Sequence, residues 1–106
     1  MSISERYRQI LAQMDAESDR FYDVLPEDTS KALRLVDQAV EEMQDWATSV
    51  GEIPQLQLDS KLSPVILSIH GQLDRARVML VDAGHQVQAD KLWELEQMLY
   101  RLLNDL

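Results

Sequence analysis

His70 is the residue in this chain with the widest chemical repertoire. It stands four residues before Asp74 and seven before Arg77, so on a helix the three share one stripe. An imidazole can carry a proton or a phosphoryl group. The same spacing sets His70 beside the apolar position Ile69, where the simpler expectation is a partly exposed histidine with a local hydrogen bond. His85 follows Asp82 by three residues, a carboxylate–histidine spacing that metal-binding helices use. Gly84 lies between them and ends the helix, which separates their faces. A two-metal site also needs further inward carboxylates, and Glu17 is the one candidate at a seam level. Asp59-Ser60 sits after a long connection and just before a helix, where a serine is open to covalent loading or serves as a polar loop residue or alternative N-cap. Glu41 and Glu42 are adjacent and so point about 100° apart on a helix, which does not make an acid/base pair. The chain holds no cysteine, no glycine-rich phosphate loop and no serine at a strand–turn–helix elbow. The reading is non-enzymatic, with no catalytic, cofactor-binding or metal-binding residue assigned.

Two local resemblances accompany these residues. A single histidine on a bundle helix resembles the histidine phosphotransfer domains, which carry Lys and Gly three and four residues after the histidine. Leu73 and Asp74 occupy those places here, and Asp74 would repel a phosphoryl group. Asp59-Ser60 resembles the Asp-Ser-Leu motif of acyl carrier proteins, with Lys61 in place of the leucine. Together they imply one alternative function, a phosphorelay or carrier-type domain modified at His70 or Ser60.

The elements that position these residues are helices. Ser2 and Glu5 have capping-box spacing, and Ile3, Tyr7, Ile10, Met14, Phe21 and Val24 then fall at steps of three and four. One gap, at Glu17-Ser18, predicts an interrupted or wet level in a first helix from about Ser2 to Leu25. Pro26 to Ser30 breaks the pattern. Leu33, Val36, Val40, Met43, Ala47 and Val50 give an unbroken second helix, with Gly51 expected as its left-handed cap. Residues 52 to 63 form the longest connection, and its Ile53, Leu56, Leu58 and Leu62 predict a segment lying against the helices. Ser63-Pro64 reads as the N-cap and first turn of a third helix ending at Gly84, with Leu62, Ile66, Ile69, Leu73, Ala76, Leu80 and Ala83 as its seam. A short turn leads to a fourth helix on Leu92, Leu95, Leu99, Leu102 and Leu106. The expectation is a single all-α domain over residues 1–106, an antiparallel four-helix bundle in up-down-up-down order. The alternative is two helical hairpins completed by dimerisation.

Charge and surplus apolar residues fall on different helices. The chain carries 19 acidic and 10 basic residues, a net charge of −9, which excludes a general nucleic-acid binder. Asp15, Asp19 and Asp23 make one acidic stripe on helix 1, and Asp37, Glu41 and Asp45 another on helix 2. They read either as a solvated face or as a docking face for a basic partner. The third and fourth helices carry apolar residues beyond their seams, and Trp93, Tyr100, Leu103 and Met79 are the candidate interface. Core packing is the competing role for the aromatics. The polar N-terminus lacks a signal-peptide pattern and no apolar run reaches membrane-spanning length. The resulting expectation is a cytoplasmic protein–protein interaction module, a regulator or adaptor. It needs no cofactor, membrane or direct nucleic-acid contact, and works as a homodimer or with a basic protein partner. A nucleic-acid mimic that inhibits a basic DNA-binding protein is the second alternative.

Overall fold

A computed structural model describes residues 2–106. Four α-helices carry the fold: α1 (Ile3–Val24), α2 (Ser30–Trp46), α3 (Leu58–Asp82) and α4 (Gln86–Asn104). Short 3₁₀ turns at Glu27–Thr29, Val50–Glu52 and Gln55–Gln57 link them, and no strand occurs among the described residues. The molecule measures 43 × 20 × 20 Å. A helix of α3's length spans about 37 Å at 1.5 Å per residue, so the helices run along the long axis. Helix α1 packs on α2 and α4, and α3 also packs on α2 and α4, which closes a ring around one core.

The core follows the three-four spacing closely. Tyr7, Ile10, Met14 and Phe21 of α1 meet Leu33, Val36, Val40 and Met43 of α2 there. Helices α3 and α4 bring Leu62, Ile66, Ile69, Leu73, Leu80, Leu92, Leu95, Leu99 and Leu102. Ser2 caps α1: its Oγ accepts from the Glu5 amide at 3.1 Å. The expected gap at Glu17-Ser18 is filled by Ser18, which is buried and bonded across to α2. Val24 departs from its expected seam position and is exposed, and Leu25 packs against the core in its place.

Two helix boundaries and one loop residue differ from the sequence expectation. Helix α2 ends at Trp46, and Gly51 lies in a 3₁₀ turn without a positive φ. Tyr7 accounts for part of this early stop, because its buried hydroxyl donates to the Met43 carbonyl at 2.8 Å. That carbonyl is one of the four a helix end leaves unpaired. Helix α3 begins at Leu58, so Ser63 is not its cap and Pro64 lies inside it. Proline in a helix interior costs about 3 kcal/mol. The three-four spacing, however, runs through it from Leu58 to Leu62, Val65, Ile66 and Ile69, all buried. Burying Leu58 and Leu62 together returns roughly 3–6 kcal/mol, which outweighs the lost bond. Leu56 was expected to lie against the helices and is instead 98% exposed, on the turn that precedes α3.

The α3–α4 turn matches its expectation in detail. Gly84 has φ +86°, its amide donates to the Val81 carbonyl at 3.0 Å, and the His85 amide donates to Leu80 at 2.8 Å. These are the two bonds of a Schellman cap, and the left-handed position needs glycine. The turn folds α4 back on α3 and so brings two polar stripes together.

Candidate functional site between helices 3 and 4

Helix α4 carries two interleaved tracks. Leu92, Leu95, Leu99 and Leu102 form the apolar one, and Glu96 lies on the other, between Leu92 and Leu99 at steps of four and three. The chain therefore carries a carboxylate where the seam continues. Glu96 is 0% exposed, and neither of its carboxyl oxygens has a hydrogen-bond partner. Facing it from α3 is the stripe that sequence spacing identified. His70 Nε2 stands 3.8 Å from Glu96 Oε1, and Arg77 Nε stands 3.4 Å from Glu96 Oε2. Both distances exceed those of a hydrogen bond with a normal N–H donor.

The guanidinium is already committed. Arg77 Nε and Nη2 both donate to Asp74 Oδ1, at 3.0 and 2.8 Å. Its guanidinium carbon lies over the Trp93 ring, 5.5 Å from the centroid, a cation–π contact. This combination explains the protonation states. Burial first, then the hydrogen bond and charge of the neighbouring Asp74, push the Glu96 carboxyl up to about 8, with Arg77 offsetting only part. Asp74 moves the other way: the Arg77 guanidinium holds it below the usual carboxylate range, aided by Glu96. Near neutral pH, Glu96 is thus chiefly a neutral acid and Asp74 an anion. A neutral acid can donate toward the Asp74 carboxylate, and this is the one donor the site gains by holding a proton.

This arrangement stores a proton within a helix seam. Surface clefts lie elsewhere. One between α1 and α4 is lined by Phe21, Val24, Val87 and Lys91. Another lies at Arg6, Ile10, Met98 and Arg101. Neither is lined by Glu96.

The remaining candidate residues are dispersed. Trp93 and Tyr100 are 50% and 53% exposed, on the same side of α4. Met79 is exposed but lines a cleft with Asp28, Lys31 and Ala32 on the α2 side, so it does not join them. Leu103 is half-buried and packs against the core. Among the acidic stripes, Asp15, Asp19, Asp23, Glu41 and Asp45 are exposed. Asp37 is partly buried: its Oδ1 accepts from Ser18 Oγ at 2.8 Å and its Oδ2 from the Tyr22 hydroxyl. Glu17 is paired with Arg20 at 2.5 Å and is not the inward carboxylate of the fold. Glu96 is, and the readable signal was its place on the second track of α4. Ser60 sits in the first turn of α3 and donates to the Gln57 carbonyl at 3.2 Å. His85 precedes α4 without a side-chain capping bond, and no cluster of three or more potential metal ligands occurs among the described residues. No described helix is long and apolar enough to cross a membrane. No protein-family model, curated protein or solved structure matches the chain.

Proposed function

We propose that this chain is a small, acidic, non-enzymatic protein–protein interaction module, a cytoplasmic regulator or adaptor. In this reading it folds as an antiparallel up-down-up-down four-helix bundle and docks through the outer side of α3 and α4. The carrying observation is the half-exposure of Trp93 and Tyr100 on one side of α4. Seven residues separate them, about 10.5 Å along a helix. Leu67, Val78 and Val81 add exposed apolar surface on α3. Aromatic side chains held on a rigid helix are the usual anchors of an interface, because they bury much area for little lost freedom.

The occupant is a second copy or a protein with a basic surface. The exposed carboxylates of α1 and α2 favour encounter with positive charge. Engagement of Asp37 by Ser18 and Tyr22 removes one carboxylate from the α2 stripe, which weighs against nucleic-acid mimicry. The test is sedimentation of the wild type and of Trp93→Ala across a range of concentrations, with pull-downs at low and high salt. Association of the wild type that Trp93→Ala abolishes is the expected result. A wild type that stays monomeric at all concentrations and captures no basic partner would overturn the reading.

A further inference from the structure

We infer that Glu96 and its α3 neighbours form a proton-operated latch on the α3–α4 seam, closed while Glu96 holds a proton and released when it loses one. Geometry makes the group bistable. Glu96 sits mid-helix, between Leu92 and Leu99, with no exposed surface. As a neutral acid it packs like a glutamine. As an anion it forms no hydrogen bond, with only the Arg77 Nε at 3.4 Å and the His70 imidazole at 3.8 Å nearby, and a buried carboxylate so poorly served is disfavoured. Water is the missing donor, and it reaches this position only if α4 moves off α3.

The surrounding charges substitute for that water only in part. On α3, His70 stays 3.8 Å away and Arg77 spends both its closest N–H groups on Asp74. A second anion beside Asp74 therefore leaves one guanidinium shared between two carboxylates. Trp93, on α4, makes a cation–π contact with the same guanidinium. Helix α1, the other element packed on α4, pairs Arg6 with Asp105 and Arg20 with Glu17. Helix α2 directs Glu42 to the other flank of α3, where it accepts from Gln72 at 2.6 Å and Ser68 at 3.1 Å. The direction of the response follows from linkage. The closed seam holds the proton up to about pH 8, whereas a hydrated Glu96 returns toward 4.5. Between those values closing takes up a proton, so rising pH favours release. The latch stands apart from the docking proposal, since it needs no partner.

The experiment follows the side-chain carboxyl carbon of Glu96 by NMR and amide hydrogen exchange along the full chain, from pH 6 to 9. Exchange is corrected for intrinsic base catalysis and compared between wild type and Glu96→Gln. In the wild type, protection of α4 around Leu95 to Leu99 should fall on the order of 10- to 100-fold, while α1 and α2 hold theirs. Glu96→Gln should show no such fall. A carboxyl that titrates near 4.5, or wild-type α4 protection that stays flat, overturns the latch. So does an equal fall in Glu96→Gln, or a uniform loss across all four helices.

Discussion

The α1–α2 seam and the α3–α4 seam each bury a polar side chain at a level where the core pattern calls for an apolar one, and they treat it differently. Ser18 sits in the α1 seam, and α2 supplies Asp37 opposite it at 2.8 Å. Asp37 in turn takes the Tyr22 hydroxyl on its other oxygen and stays partly open to water. Donor and acceptor are matched, so the cost of burying the hydroxyl is met in place. Glu96 is deeper, and α3 offers it only a committed guanidinium and a distant imidazole. The first seam holds a satisfied polar clasp. The second is comfortable only when protonated. A polar residue in a helix seam is thus structural when its partner comes with it, and conditional when a proton must serve as the partner.

Changing Glu96 gives the largest test of that contrast. Glu96→Gln should stabilise the protein at pH 9 by up to about 5 kcal/mol, at roughly 1.4 kcal/mol for each pH unit between the ordinary carboxyl value and about 8. At pH 5 the two proteins should differ by less than about 1 kcal/mol. The sign follows from the raised value: the penalty is absent below the unfolded pKa and grows until pH exceeds the folded one. Denaturant unfolding at both pH values measures it, and a wild-type stability that stays flat from pH 5 to 9 would erase the difference between the seams.

The α1–α2 clasp provides the next effect. Asp37→Ala leaves the Ser18 hydroxyl buried without its acceptor and should cost about 1–3 kcal/mol at pH 7. A loss near zero would show that Ser18 finds water instead, and the clasp would cease to be the satisfied member of the pair. Gly84→Ala forces a side chain into a left-handed position and should cost about 1–2 kcal/mol, by loosening the turn that pairs α3 with α4. Thermal unfolding reads that change, and an unaffected melting temperature would mean the seam holds without its cap. Trp93→Ala is the smallest perturbation of stability, about 1 kcal/mol or less, because the ring is half exposed and its cation–π contact is modest. A loss of several kcal/mol in the monomer would assign Trp93 to the core.

Much of the architecture was legible because helix formation here is driven by local spacing. The three-four runs, Ser2 with Glu5, and Gly84 at the α3–α4 turn all act within a few residues; the two caps appear where the pattern put them, and the runs do so apart from Val24 and Ala83, which are exposed. Pro64 shows the limit. Local preference favours a helix beginning there, whereas burial of Leu58 and Leu62 against other helices carries α3 two turns further back. Gly51 shows the same limit at the end of α2, where Tyr7 caps the Met43 carbonyl from another helix. The site was half readable. His70, Asp74 and Arg77 share a stripe by periodicity alone, but their target is a residue on the next helix.

The sequence by itself determined that this chain makes amphipathic helices, where the third meets the fourth, and that its charge excess is carried mainly by its first half. Those properties depend on side-chain type and a period of 3.6 residues. Only the tertiary structure decided what Glu96 is. On an isolated helix it is one more solvated carboxylate. Packed between Leu92 and Leu99 against Asp74 and Arg77, it loses its water and keeps its proton. Both changes come from the dielectric and the partners of its surroundings, which are properties of an assembled seam and of no single segment.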